Sequence, residues 1–295
     1  MAYLDNALEA HISWQISQFR DQHFPQCDVI AYYGGIQFWS KDVYQPKLEL
    51  IGRQDPQRVN RFLVIILYTT GGSVEAVEKM VEITRHFYQE VYFVIPDIAM
   101  SAGTIWCMSG DKIFMDYSSS LGPIDPQLQL PDGRWVPALG YLDKSEELIK
   151  KSSENRITDA ELMMLSNLDL AQLRRFEQAR DLSIDLLKKW LVEYKFRDWT
   201  THQTNPQKQG SRVTKRQKTA RAQEIAKALS DNRKWHSHSR MIGINTLVKD
   251  LKLKIEDFTN DQAMSESIKN LHRVIMEYMS RANQQVLVLT SIPTI

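Results

Sequence analysis

Two strand–turn–helix units stand back to back between Arg61 and Cys107, and they constrain the fold more than anything else in the chain. The first reads FLVIILYTTGGSVEAVEKM. Its aliphatic run, 61–68, has the composition of a strand buried on both faces. The run stops at Thr69-Thr70-Gly71-Gly72, and Ser73 is placed to cap a helix with Val74, Val77, Val81 and Thr84 at helical spacing. In the second unit a strand over 91–95 stops at Pro96, and Met100-Ser101-Ala102-Gly103 opens another apolar helix. Parallel strands joined by a helix bring their carboxyl ends side by side. The Gly71-Gly72 turn and Ser101 are therefore expected to face each other at one edge of a sheet.

That placement has a chemical meaning. A serine at the first turn of a helix lies beside N–H groups that have no intrahelical acceptor. Ala102 and Gly103 are small enough to let a substrate carbonyl approach. The glycine turn opposite can present bare N–H groups to the same point. Ser101 then reads as the nucleophile of an acyl transfer, and Gly71, Gly72 and Ala102 as its oxyanion hole. MSAG alone equally fits a tight turn with a capping serine; the pairing of the two turns argues for chemistry.

At these residues the chain resembles the Clp-protease/crotonase fold, in its serine peptidase branch. YTTGGSV is similar to the oxyanion turn of Clp proteolytic subunits, and AMSAGT to the nucleophile segment of the signal peptide peptidase A group. SSSLGPIDPQ and IAKALSDNRKWHSH carry the resemblance on to the serine dehydrogenase proteinases, soluble relatives of signal peptide peptidase A. It is good over 28–141 and looser over 220–258. It implies an α/β fold, a Clp/crotonase-like spiral of βαβ units with an appended C-terminal helical lobe. It also implies a soluble serine peptidase that works through an acyl-enzyme on Ser101. No dehydrogenase signature accompanies it.

The Clp pattern places a histidine after the nucleophile helix, and the segment Tyr117 to Gln127 contains none. Signal peptide peptidase relatives use a lysine as general base, and the matching place here is Lys144. Its amine must be neutral to serve, so burial has to lower an ordinary lysine pKa of about 10.4 by several units. The apolar run 136–142 is expected to supply that pocket. His238 and His236 rank second as bases, because histidine is the usual partner of a serine nucleophile. In this stretch the family continues with a glycine where the chain has Ser239. Asp125 is expected to cap a turn before Pro126.

Composition bounds the partners. With 295 residues, 43% hydrophobic and 25% charged, the chain can hold one core domain and a lobe. A net charge of +1 gives no global pull toward nucleic acid or anionic membrane. The basic stretch from Lys208 to Arg221 has no interleaved aromatic residue and reads as a solvated helix face. Only Cys27 and Cys107 occur, so a reducing, cytoplasmic setting is expected rather than a disulfide framework. The N-terminus carries Asp5 and Glu9 without an apolar signal region, and no run approaches a membrane span. No phosphate loop is present, so ATP-driven unfolding would need an unfoldase or regulatory partner. No cofactor is expected, and no metal, since His236 and His238 lack a third ligand at a recognisable spacing.

The expected organisation is an N-terminal helix over 1–27, a catalytic core over 28–155, a helical extension over 156–200, a linker or exposed loop over 201–219, and a helical lobe and tail over 220–295. Residues 4–20 read as the first helix, and 40–60 as a loop with a short helix. Pro131-Asp132-Gly133 marks a hairpin. Thr158-Asp159-Ala160-Glu161 is a capping box, and Met163 and Met164 read as core. The extension is expected to carry homo-oligomer contacts, as in the resembling families. The apolar tail is expected on a sheet edge or on another subunit. Two other functional classes fit the same pattern: a crotonase-like acyl-CoA enzyme, and a catalytically inactive Clp-like oligomeric interaction protein.

Overall fold

The structure is a computed structural model that describes residues 2–54, 61–129, 135–203 and 206–292. The chain opens with α1 (Ala2–His23), longer than its periodicity suggested, and enters β1 (Cys27–Gly34). α2 (Ser40–Gly52) follows where a loop and short helix were expected. Then come β2 (Phe62–Tyr68), α3 (Val74–Phe87), β3 (Glu90–Val94), β4 (Ile98–Ala99), α4 (Ala102–Cys107), β5 (Lys112–Met115) and β6 (Ser120–Leu121). β7 (Gln127–Gln129) and β8 (Trp135–Pro137) pair antiparallel, as a hairpin requires; its turn lies outside the described residues.

α5 (Ala138–Ser153), α6 (Asp159–Ser166) and α7 (Leu170–Trp190) form the extension, and α7 runs on into a π-helical turn over Leu191–Lys195. α8 (Lys215–Leu229), α9 (Asn232–Trp235), β9 (Ile242–Gly243) and α10 (Ile244–Lys249) make the helical lobe. β10 (Glu256–Asp257), α11 (Gln262–Ala282) and β11 (Val286–Thr290) then return to the core.

The main sheet has six strands in the order β10-β5-β3-β2-β1-β11. All pairs are parallel except β1 with β11, so the apolar tail closes a sheet edge. The strands alternate their side chains between two cores. Ile30, Tyr32, Leu63, Ile65, Leu67 and Phe93 pack under α3, α4 and the end of α7. Val29, Ala31, Tyr33, Val64, Ile66 and Val94 pack against α1 and α11. Burial on both faces explains the unbroken aliphatic run of β2.

Helix ends follow local chemistry. Ser73 Oγ accepts from Ala76 N at 3.1 Å and starts α3. Thr158 and Thr214 both form capping boxes, with Glu161 and Gln217. α6 corrects one expectation: Leu162, Met163 and Met164 are exposed rather than core, because no described element covers this eight-residue helix. The basic residues from Lys208 to Lys215 lie in solvent.

A second sheet, β4-β6-β9, stands at the carboxyl edge of the first. A bridge between Thr69 and Ala99 joins the two. This joint positions the candidate site.

Candidate active site

Beyond β2 the chain does not turn away from the sheet at once. Thr69 N donates to Ile98 O, and Met100 N donates back to Thr69 O, both at 3.0 Å. The two bonds lay the glycine turn beside the residues that precede α4. Gly71 ends against Ser101: a Cβ built on Gly71 would stand 2.6 Å from Ser101 Cβ and 2.7 Å from Met100 O. The expected meeting of the two turns is therefore present.

Ser101 sits at φ 53° and ψ −118°, a conformation that L-residues rarely adopt. It is half-buried and makes no capping hydrogen bond, so it does not act as the helix cap that MSAG alone would allow. The structure around it over-determines this conformation. Gly103 N donates to Met100 O at 2.8 Å, and a Cβ on Gly103 would lie 2.3 Å from Thr69 Cγ2. The buried Thr104 hydroxyl lies 2.8 Å from Ala99 O and 3.0 Å from Gly122 O, and accepts from Gly122 N at 2.9 Å. Thr104 thus ties α4 to the segment after β6. Its role was not anticipated from sequence, where threonine on an apolar helix gives no distinct signal.

The glycine turn has its own scaffold. Gly71 O accepts from Ile36 N, and Ile36 O accepts from Ser73 N, each at 2.8 Å. Gly71 N donates to Thr69 Oγ1 at 3.0 Å, so this N–H is already engaged. No acceptor among the described residues takes the N–H of Gly72 or of Ala102. Both glycines have positive φ, 98° and 142°. A side chain on Gly72 would collide with Ile36 O at 1.9 Å. Of the three residues expected to form an oxyanion hole, two keep a free donor.

The candidate bases are placed very differently. Lys144 projects from α5 with its side chain 55% exposed, and its Nζ pairs with Glu147 at 3.0 Å. This corrects the expectation of an apolar pocket around the amine: Tyr141, Leu148, Met164 and Leu168 line a groove beside Lys144 without enclosing its head. No hydrogen bond joins Lys144 to Ser101. His236 is exposed and ends α9 in the left-handed region, φ 61°.

His238 is half-buried, with Nδ1 shut off from solvent and without a partner among the described residues. Burial lowers its pKa below the ordinary 6.5. Strand register places it. β6 runs parallel to β4, with Leu121 opposite Ala99, and antiparallel to β9, with Leu121 opposite Ile242. The segment before β9, which holds His238, therefore leaves this sheet at the end where Ser101 follows β4.

Asp125 is 2% exposed. Its Oδ1 accepts from Leu139 N at 3.1 Å, so it caps the start of α5 rather than a local turn. Its Oδ2 is buried without a partner, and burial lifts its pKa from 3.8 to about 6.

A strained serine on a short helix, held against a glycine turn with free N–H groups, defines a serine hydrolase type of site on a Clp-like α/β fold. Residues 52–208, more than half of the chain, match the family described as ClpP-like SDH-type serine proteinase, and the chain belongs to that family. Two proteins of Methanocaldococcus jannaschii are similar over shorter stretches. The uncharacterized protein MJ0137 is 39% identical over 64 residues, 22% of each chain. The uncharacterized protein MJ1495 is 31% identical over 113 residues, 38% of this chain and 36% of that one. The chain thus matches well under half the length of these relatives. Among solved structures, an alanine mutant of the 1510-N membrane-bound stomatin-specific protease aligns with a TM-score of 0.32 and 21% identity, over 42% of this chain and 63% of that one. Among the described residues no helix is long and apolar enough to cross a membrane.

Proposed function

We propose that the protein hydrolyses peptide bonds with Ser101 as nucleophile. The observation that carries the reading is Ser101 itself, strained at φ 53° and held against Gly71 beside two N–H groups that nothing else uses. Ser101 Oγ attacks the scissile carbonyl carbon and gives its proton to a base. The carbonyl oxygen becomes an oxyanion and accepts from the N–H of Gly72 and of Ala102. Collapse of this intermediate expels the amine, which takes the proton back from the base and leaves an acyl group on Ser101. Water repeats the cycle and frees the acid.

His238 is the better supported base. Its Nδ1 is unpaired, it lies on the segment that emerges beside Ser101, and its lowered pKa keeps the ring neutral and able to accept a proton at pH 7. Lys144 is the second reading, supported by its place in the chain; it has to leave Glu147 to serve. The peptidase acts as a cytoplasmic homo-oligomer, supported by the uncovered apolar side chains of α6. An unfoldase or regulator that feeds it peptide is part of the same reading.

The test is a fluorophosphonate probe with mass mapping. An activated Ser101 labels, and Ser101→Ala abolishes both label and peptide turnover while the fold is kept. A crotonase-like enzyme or an inactive interaction protein gives no label on Ser101. Wild-type turnover by Ser101→Ala would sink the assignment.

A further inference from the structure

Ile36 is one of the residues that holds the glycine turn, and the two large residues that follow it within three positions are uncovered. Phe38 is 68% exposed and Trp39 45% exposed, although Ile36 before them and Ser40 after them are fully buried. The turn that displays them is stiff. Gln37 N donates to Ser40 Oγ at 2.8 Å, Ser40 N to Gln37 O at 2.9 Å, and Asp42 N to Trp39 O at 2.9 Å. One end of this turn is pinned to Gly71 and Ser73 through Ile36. The other is the start of α2, which packs Tyr44, Leu48 and Ile51 into the core. The aromatic pair is therefore fixed in space relative to Gly72 and, through Gly71, to Ser101.

Folding leaves apolar surface in water only at a cost. Adjacent exposed aromatics on a rigid turn are a binding feature when they border a reaction centre, because they offer contact area at small entropic cost. Nearby charge is sparse. The Lys41 ammonium lies 5.4 Å from the Phe38 ring centre and is itself paired with Asp42. No other described charge is recorded against the two rings.

We infer that Phe38 and Trp39 form the apolar wall of the substrate cleft on the Gly71–Gly72 side, and that they select peptides with an aromatic or large aliphatic side chain flanking the scissile bond. The inference rests on the peptidase reading above and adds the substrate class. It suits unfolded segments of proteins, whose apolar side chains are accessible, better than charged, intact surfaces.

The experiment separates binding from catalysis. Two fluorescent decapeptides are made, identical except that Leu-Phe in one is Asp-Ser in the other. Their Kd is measured by anisotropy on the Ser101→Ala protein, with and without Phe38→Ala/Trp39→Ala. The apolar peptide should bind at least roughly tenfold more tightly. The double substitution should remove that preference, Trp39→Phe should restore most of it, and light scattering should give an unchanged particle mass.

Equal affinity for both peptides, absence of binding by either, or a preference that survives the double substitution overturns the inference. So does a change in mass with both peptides weakened alike, which would make the wall a subunit contact. Fluorophosphonate labelling of Ser101 in the chain carrying only Phe38→Ala/Trp39→Ala should match wild type. Absence of label in the wild type would strike the peptidase reading instead.

Discussion

Gly71 and Ser101 touch through backbone that no other residue type could share: a Cβ at Gly71 would lie 2.6 Å from Ser101 Cβ. Real Cβ atoms do not come so close, and the φ of 98° at Gly71 disfavours any side chain independently. Gly71→Ala is expected to cost about 2–4 kcal/mol of stability and at least roughly a hundredfold in turnover. Gly72→Val should cripple turnover too, since its first carbon meets Ile36 O at 1.9 Å. Gly243→Ala is the control, because its added carbon meets nothing within 4 Å. Thermal unfolding and peptide turnover of the three variants decide the matter. A Gly71→Ala protein that matches wild type in both would show that the two turns are not locked together.

The meeting of these turns was legible in the sequence because each is announced by a strand that ends in small residues. Burial on both faces wrote β2 as an aliphatic run, and the parallel rule then set the two carboxyl ends side by side. β4 and β9 were not legible, since two-residue strands carry no periodicity. Without them His238 could not be placed at the Ser101 end of a sheet. Lys144 shows the opposite failure. An apolar run before it suggested a pocket, but a helix turns each residue by 100°, and this one faces Glu147 and water. Met163 and Met164 misled in the same way: apolar spacing marks a face that wants a partner, and it does not say whether the partner is in the same chain.

That uncovered face yields a prediction of assembly. Leu162, Met163, Met164 and Leu170 are 49–76% exposed on α6 and the first turn of α7. Met163→Glu together with Met164→Glu should leave thermal stability within about 0.5 kcal/mol, because neither side chain is packed. It should lower the particle mass measured by light scattering. Unchanged mass would place the subunit contacts elsewhere.

Asp125 makes stability depend on pH in a defined direction. Its carboxyl ionises near 3.8 unfolded but at about 6 folded, so the folded chain holds the proton longer. Its contribution is fully present at low pH and is lost as pH rises from about 4 through about 6. The upper bound, about two pH units, is roughly 3 kcal/mol. Asp125→Asn keeps an oxygen for Leu139 N and removes the titration. The stability difference between variant and wild type should therefore shift in favour of the variant across that window and stay level above pH 7. Urea midpoints at pH 4.5, 5.5, 6.5 and 7.5 measure it. A difference that does not change with pH would mean that Asp125 ionises normally.

The base decides the shape of the pH–rate profile. If His238 takes the Ser101 proton, kcat/KM rises as its ring loses a proton. Burial places that rise below the ordinary 6.5, so activity is level by pH 7. His238→Ala should then cost about a hundredfold or more, with folding judged separately by circular dichroism. His236→Ala should leave the profile unchanged, since that ring is exposed at the end of α9. Lys144→Ala should also leave it unchanged, apart from any small loss from the Glu147 pair, an exposed contact worth under about 1 kcal/mol. If the lysine is the base instead, activity climbs through the alkaline range. Lys144→Ala then removes it, and Lys144→Arg does not restore it, because a guanidinium stays protonated. The two profiles separate on opposite sides of neutrality, so rates at pH 5.5, 7 and 9 on four proteins suffice. An alkaline climb that survives His238→Ala and vanishes with Lys144→Ala would exclude the histidine and return the proton to the lysine.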